Sequence, residues 1–534
     1  MTWGRSLPWI NPLLAGFLPV LSLYVQNSDQ VLLSEAVPSM ILVVVGSGLL
    51  TVILRLLLRD AMKAGFLVTS WVTLFFSYGH LWDLTAGQAI GGIVIGRPLY
   101  LLPAFLAMGL AILLFSALKR RFIAPITSYF SLVFVVLILL SVGAEVHRQI
   151  RLSGDTLLEL STTEGLQKGT EQSSALHTPS GFSPNSDLQA STNQRSSMPD
   201  IYIIVLDSYA RADVLEELYG FDNKQFLDHL RTNGFYVAAE SQSNYMTTFL
   251  SLSSMLNLEY LQGEETKHLK LFDNRAMWLA KNMGFRTILV PSTWDLSRGM
   301  ERSNVDLTTR KSLGGLGSML AGSIIGNEFG PVLIRSTMLG PVIRLKSVGN
   351  YINFVEKNRA GVFTNNIEEI KKLTTLEGPK FTFAHFMPPH PPYLFDRDGN
   401  VYSTSMSLGA DNAHDLYLDQ LIWVNKSMET VVDHILEKTK PQPVIVILGD
   451  HGPGLLANGD DPYRFKERRS NLVAIHLPAS CDRIGLYPTI TPVNILRLVF
   501  DNCLGTEFGL LEDESFIMKW PRKLCITVLP GRCP

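Results

Sequence analysis

The chain has 534 residues, 46% of them hydrophobic and 18% charged, with a formal net charge of −2. That length allows more than one domain, and a balanced charge supplies no global basic field, which excludes nucleic acid as a partner. Composition also divides the chain: up to about residue 150 apolar runs dominate, and the remainder has the mixed make-up of a soluble α/β protein.

Five stretches approach or exceed the roughly 20 apolar residues that cross a bilayer: Trp9 to Val25, Val37 to Leu58, Ala64 to Leu81, Leu99 to Leu118 and Phe122 to Val142. The first is short and carries Asn11 and Pro12. No small-residue cleavage site follows it and four more apolar runs do, so it reads as a first span and not as a signal peptide. Loop charges alternate. Arg5 precedes the first span, Arg55, Arg59 and Lys63 surround the second connection, and Lys119, Arg120 and Arg121 form the fourth, whereas the first connection has no cation and the third only Arg97. Because Lys and Arg stay on the cytoplasmic side, five spans starting inside place everything after Val142 outside the cytoplasm. Residues 1–150 are thus expected to be a five-helix membrane domain.

Residues 151–198 are rich in Ser, Thr, Gln, Asn and Gly and lack periodicity. They read as a flexible linker with too little apolar surface to offset ordering entropy, although Thr156 to Leu160 can extend a helix from the fifth span. Residues 199–510 alternate apolar strand-like runs with helical patterns. Strands are expected at Ile201–Leu206, Gly234–Val237, Thr287–Val290, Phe381–Phe386, Val444–Leu448 and Leu472–Leu477, and helices at Ala212–Tyr219, Lys224–Thr232, Asp415–Glu437 and Pro492–Phe500. Such alternation predicts a mostly parallel sheet flanked by helices. Residues 511–534 read as a C-terminal tail. One segment, Ser312 to Val348, is Gly-rich, apolar and low in charge, and two readings stand for it: short helices resting on the bilayer surface, or an insertion packed on the domain core. All four cysteines, Cys481, Cys503, Cys525 and Cys533, fall late in the soluble region. An even number on the oxidising side of a membrane suggests disulfides, with three pairings open and free buried thiols the alternative.

The chemistry concentrates at the ends of two apolar runs. The first closes on Asp207 and the second continues into Gly449-Asp450-His451-Gly452, as when buried parallel strands deliver side chains to the carboxyl edge of an α/β sheet. Between them lie Ser243 to Ser251, a loop running into a helix with Thr247 and Thr248 at the junction, and His385-Phe386-Met387-Pro388-Pro389-His390-Pro391-Pro392-Tyr393. Two carboxylates, an imidazole and a hydroxyl around one hard divalent cation suit polarisation of a phosphoryl or sulfuryl oxygen and activation of the hydroxyl. A hydroxyl at a helix start gains free backbone N–H groups for the anion under attack.

Asp207, Thr248, the His390 loop and Asp450-His451, in this order, resemble the alkaline phosphatase and sulfatase superfamily. They are most similar to its membrane-anchored branch, which includes lipoteichoic acid synthases and lipid A phosphoethanolamine transferases. The resemblance implies that Asp207, Thr248, Asp450 and His451 hold one divalent metal ion (Mn, Mg or Zn), with Thr248 also the nucleophile and His390 a proton donor or phosphate partner. Asp207 is a variation, since those two enzyme groups usually carry Glu there. Thr247 is the rival nucleophile; Thr248 is preferred because Ser251 then completes the family's Thr-x-x-Ser spacing. Ser251 and His385 are candidate substrate-binding residues, with His385 also readable as a satisfied structural histidine. The formylglycine route to sulfate esters needs a Cys/Ser-x-Pro-x-Arg context that this chain lacks around Thr248. After Asp450-His451 no histidine follows until His476, so one metal is expected and not two. What the resemblance implies is a plasma-membrane phosphotransferase that takes phosphoglycerol or phosphoethanolamine from a phospholipid donor to an extracytoplasmic glycan or lipid acceptor. A phosphodiesterase or sulfuric ester hydrolase, or an inactive relative serving as a binding module, are the alternatives.

Overall fold

The computed structural model describes residues 3–26, 33–85, 89–90, 93–94, 98–117, 120–164, 198–261, 271, 274–292, 304–309, 329–343, 349–406, 412–456, 462–519 and 523–527. The chain divides into two compact units, residues 1–170 with 313–352, and residues 171–312 with 353–534.

The first unit is helical. Helices α1 (Trp3–Gln26), α2 (Leu33–Leu58), α3 (Ala61–Thr85), α4 (Pro98–Ser116) and α5 (Arg120–Glu164) take in the five predicted spans almost whole, with a small hairpin of β1 (Ala89–Ile90) and β2 (Ile93–Val94) between α3 and α4. Four of these helices are long and apolar enough to cross a membrane; α3 is the exception. Packing explains its composition. It lies against α1, α2, α4 and α5 and buries Ala64, Phe66, Leu67, Val68, Thr69 and Ser70, so it needs less lipid-compatible surface and accommodates small and hydroxyl side chains. The hydroxyls of Thr73 and Ser77 donate back to carbonyls four residues earlier. The helical extension over Thr156 to Leu160 is present within α5, and the rest of the predicted linker, residues 165–197, lies outside the described residues.

The apolar insertion does not pack on the core of the α/β unit, which overturns the second of its two expected places. Its described part, the short helices Phe329–Arg335 and Leu339–Ile343, belongs to the helical unit. Phe329 and Leu333 are buried with Val20, Leu21, Tyr24, Ala36, Met40 and Phe76. The Gly79 N–H donates to the Ser336 carbonyl at 3.0 Å, and the Met338 N–H to the Phe75 carbonyl at 3.1 Å. Gly79 is required for this approach, because a Cβ there would stand 2.5 Å from the Ser336 Cα. Composition could not separate these destinations: helices, core and lipid all accept the same apolar side chains. Residues 310–328 and 344–348 lie outside the described residues.

The second unit is built on β3 (Ile201–Leu206), β4 (Tyr236–Val237), β5 (Arg286–Val290), β6 (Leu307–Thr308), β7 (Lys380–Phe386), β8 (Tyr393–Phe395), β9 (Val401–Met406), β10 (Val444–Gly449) and β11 (Val473–His476). Seven of them form one sheet in the order β4-β11-β10-β3-β7-β5-β6. The run from β10 to β6 is parallel, and β11 is antiparallel to both its neighbours. Tyr202, Ile204 and Leu206 face one core with Val214, Phe226, Phe363 and Leu421, and Ile201, Ile203 and Val205 face the other with Leu252, Met277 and Ile495. Burial on both faces is why these runs are continuously apolar and not alternating.

Cys481 is joined to Cys503, which ties the loop after β11 to the helix Pro492–Leu504. The final hairpin, β12 (Ser515–Lys519) with β13 (Lys523–Thr527), starts against the loop that carries Thr248. The Phe516 N–H donates to the Asn244 carbonyl at 2.7 Å, and its buried ring stacks on Tyr245 at 5.0 Å. The start of the predicted tail is thus packed into this unit.

Candidate active site

Register builds the site. Leu448 pairs with Val205 and Gly449 with Leu206, while Leu206 pairs with Phe386. One further step along each strand brings Asp450 beside Asp207 at the carboxyl edge, with His385 one position short of the end of β7. The Ser208 N–H donates to Asp450 Oδ1 at 2.9 Å, and its hydroxyl donates to Asp207 Oδ1 at 3.0 Å. Ser208 adopts φ +63°, a left-handed conformation that a non-glycine residue holds only when its surroundings impose it. Here its carbonyl accepts from the buried Tyr417 hydroxyl at 3.0 Å.

Thr248 opens the helix Thr248–Asn257, after Thr247 in extended conformation at the N-cap position. The Thr248 Oγ donates to Asp207 Oδ2 at 3.3 Å and lies 3.1 Å from His451 Nε2. Thr247 is exposed. The structure therefore brings Thr248, and not its rival, to the carboxylates. Ser251 has another place than the one expected of it: it is buried, and its hydroxyl donates to the Asp450 carbonyl at 2.8 Å. Ser243 donates to the same carbonyl at 2.5 Å. Both bind the nucleophile loop to the end of β10.

His385 on β7 and His390 on the loop after it flank Asp207. His385 is fully buried, with Nε2 3.5 Å from Asp207 Oδ2 and Nδ1 2.9 Å from the Ser292 hydroxyl. Its contacts are with the carboxylate and Ser292, the arrangement of a residue that orients a ligand group. His390 is half-buried; its N–H donates to the Asp207 carbonyl at 3.0 Å, and Nδ1 lies 2.5 Å from the Pro391 carbonyl. That contact puts the ring proton on Nδ1 and leaves Nε2 as the basic atom.

Electrostatics divide the two carboxylates. Burial alone would raise Asp207, but His390, a hydrogen bond from His385, and His451 outweigh it and hold the carboxyl well below its usual range. Asp450 is pushed well above its usual range by burial and then by the negative charge of Asp207. Burial, followed by the positive charge of Arg468, drives His451 well below its ordinary value, so its imidazole is neutral. With Nδ1 3.0 Å from the Gly452 carbonyl, the ring is in the tautomer that offers Nε2 as a ligand atom.

These residues fit a metal ion. Ligand atoms of Asp207, Asp450 and His451 all lie within 4.8 Å of one another, and all three residues are buried. Asp450 Oδ2 accepts no hydrogen bond among the described residues; His451 Nε2 is 3.2 Å away but neutral, and gives it no proton. A buried carboxylate oxygen without a donor, beside a second carboxylate, is a site whose charge is answered by a cation.

Three contributors escaped the sequence reading. Ser208 follows Asp207 with no motif of its own. Arg468 and Glu467 sit in the helix Pro462–Arg469, whose run Lys466-Glu467-Arg468-Arg469 has the composition of a solvated face. Glu467 is instead buried and accepts from the Tyr219 hydroxyl and from the N–H groups of Leu455 and Leu456. Arg468 turns into the site, where its Nη2 lies 3.2 Å from His451 Nε2. Only the pairing of that helix with the Asp450-His451-Gly452 turn reveals either role.

A family model described as Sulfatase matches residues 199–479. No curated protein sequence matches the chain. Solved structures similar to it include the integral membrane protein lipooligosaccharide phosphoethanolamine transferase A (EptA) from Neisseria meningitidis, at 11% identity over 93% of this chain and 95% of that one, with a TM-score of 0.39. Two others are the C-terminal periplasmic domain of EcEptC from Escherichia coli in complex with Zn, at 12% identity over 57% and 82% with a TM-score of 0.38, and the putative sulfatase yidJ from Bacteroides fragilis, at 13% identity over 62% and 84% with a TM-score of 0.36. These likenesses are distant, and the assignment rests on the family match. Because the matched span starts before Asp207 and ends beyond Arg468, it contains the whole site, and the chain, which carries four helices long and apolar enough to cross a membrane, belongs to the sulfatase family.

Proposed function

We propose that this chain is a metal-dependent phosphotransferase that moves a phospholipid head group, phosphoglycerol or phosphoethanolamine, to an extracytoplasmic glycan or lipid acceptor through a phosphothreonine on Thr248. The observation that carries the reading is the Thr248 hydroxyl at a helix start, 3.3 Å from Asp207 Oδ2 and 3.1 Å from His451 Nε2. With His451 Nε2 committed to the metal, Asp207 is the proton acceptor for a hydroxyl that attacks phosphorus. The backbone N–H groups that open the helix face the anion under attack. One divalent ion, Mn, Mg or Zn, held by Asp207, Asp450, His451 and the Thr248 hydroxyl, would supply Lewis-acid polarisation of the phosphoryl oxygen. Thr248 Oγ gives its proton to Asp207 as its bond to phosphorus forms; the bond from phosphorus to the diacylglycerol oxygen breaks, and that oxygen takes the Nε2 proton of His390, which enters the step as imidazolium. An acceptor hydroxyl, giving its proton to His390 Nε2, then displaces Thr248 from phosphorus, and Thr248 Oγ recovers its proton from Asp207.

Two features support a lipid donor and an extracytoplasmic acceptor. Four helices of membrane length and apolarity are more anchor than a secreted hydrolase needs, and they raise the effective concentration of a lipid donor at the site. The Cys481–Cys503 disulfide suits an oxidising compartment, which supports a catalytic unit outside the cytoplasm. The hydrolase reading shares the first half of the reaction and uses water in the second. Incubation with head-group-labelled phospholipid separates them. The transferase accumulates a head-group adduct on Thr248 when acceptor is withheld, seen by mass spectrometry, and Thr248→Ala does not. Release of free head-group phosphate equally fast with and without acceptor would overturn the transferase reading.

A further inference from the structure

One further charged side chain reaches the nucleophile. Arg468 Nε donates to the Met246 carbonyl at 2.9 Å, Nη1 donates to the carbonyls of Gly452 at 2.9 Å and Pro453 at 2.7 Å, and Nη2 lies 3.2 Å from His451 Nε2. Met246 precedes Thr248 by two residues, and Gly452 and Pro453 follow His451, so the guanidinium is pinned from both sides of the cleft. Its fixed contacts are three carbonyls and an imidazole; none is a carboxylate. Three of its five N–H groups are engaged by those carbonyls, and of the Nη2 pair one is directed at His451 Nε2 and one remains for a ligand. The atom that Nη2 approaches, His451 Nε2, is the same one that stands 3.1 Å from Thr248 Oγ. Cation and nucleophile converge on one point.

A half-buried cation whose fixed hydrogen bonds go only to neutral partners keeps its charge for an incoming anion. Asp450 and Asp207 act on Arg468 through space, but a metal ion between those two carboxylates would draw on the same charge. An anion arriving at Thr248 supplies it to both. Among the described residues one cluster alone can hold a metal ion. The charge that a second ion contributes in two-metal phosphoryl-transfer sites must then come from the protein.

We infer that Arg468 is a catalytic anion clamp, a fixed guanidinium that takes a non-bridging oxygen of the phosphoryl or sulfuryl group attacked by Thr248 and does there what a second metal ion would do. The inference rests on the reading of Thr248 as nucleophile. Arginine suits the role because its planar fork stays charged when buried and binds tetrahedral oxyanions directionally.

The test uses the full-length, metal-loaded protein in detergent with orthovanadate as probe. Vanadate affinity is measured by calorimetry for wild type, Arg468→Ala and Arg468→Lys, metal content by elemental analysis, and turnover with bis(4-nitrophenyl) phosphate. Arg468→Ala is expected to weaken vanadate binding about 10- to 100-fold, to keep one metal per chain, and to lower kcat more than it raises KM. Millimolar guanidinium is expected to restore a measurable part of both binding and turnover to Arg468→Ala, and Arg468→Lys to fall between. Vanadate affinity within about threefold of wild type in Arg468→Ala overturns the inference. So does loss of the metal in both variants without rescue by guanidinium, because Arg468 would then only brace the loops. The Thr248 reading fails separately: Thr248→Ala turning over as fast as wild type sinks the nucleophile, whatever Arg468→Ala does to vanadate.

Discussion

Replacing Gly452 by alanine places a methyl group where backbone already stands. A Cβ at this position would lie 1.8 Å from the Glu467 carbonyl oxygen and 2.9 Å from its carbon. The shortest carbon–oxygen contacts run to about 3.3 Å, so the helix Pro462–Arg469 would have to retreat by about 1.5 Å. The Gly452 N–H now donates to the Arg468 carbonyl at 2.8 Å, and the Gly452 carbonyl is shared by Arg468 Nη1 and His451 Nδ1. Overpacking of this kind costs about 1–3 kcal/mol and a broken backbone hydrogen bond about 1 kcal/mol more, so Gly452→Ala is expected to destabilise the catalytic unit by about 2–4 kcal/mol. The thermal midpoint would fall by about 4–8 °C. Metal affinity should fall about 10- to 100-fold, because the carbonyl that orients His451 moves with the turn. Differential scanning calorimetry and a zinc competition titration on the full-length protein check both. A midpoint within about 1 °C of wild type together with metal affinity within about twofold would refute the bracing of the turn by this helix.

Reduction of Cys481–Cys503, which closes a separation of 22 residues, is expected to remove about 3 kcal/mol of stability; an unchanged denaturation midpoint in Cys481→Ser/Cys503→Ser would show that the bond is dispensable. Gly79→Leu should expel the insertion from its seat on α3, seen as cleavage by added protease within residues 329–343 at least about tenfold faster than in wild type; an unchanged rate would contradict the docking. His476, whose imidazole is held below its ordinary value by burial, binds a proton more readily once unfolded. Its contribution to stability is present above the unfolded value of about 6.5 and is lost as pH falls. The thermal midpoint should therefore drop between pH 7.5 and 5.5, and less steeply in His476→Gln; equal slopes would remove His476 as the cause.

What the sequence by itself determined is what local periodicity encodes. Continuous apolar runs closing on Asp207 and Asp450 marked strands buried on both faces, and β3, β7 and β10 lie within a residue of where those runs end. The five N-terminal helices, the helix that starts at Thr248 and the helix Ala413–Lys438 were legible for the same reason, since the pattern of apolar residues is written along each element. Tertiary structure alone decided which elements meet. Thr247 and Thr248 are equivalent as residue types, and only the orientation of the helix sends Thr248 Oγ to Asp207. Ser251 matched a motif, yet helical geometry turns its hydroxyl to the Asp450 carbonyl. The segment around Phe329 was apolar enough for core, bilayer or helix bundle, and the complementary shape of α3 at Gly79 chose the bundle. Arg468 was hidden most completely. A basic turn of helix has the composition of a solvated face wherever it occurs, and a guanidinium becomes part of a catalytic site only when register elsewhere in the chain sets three carbonyls and an imidazole around it.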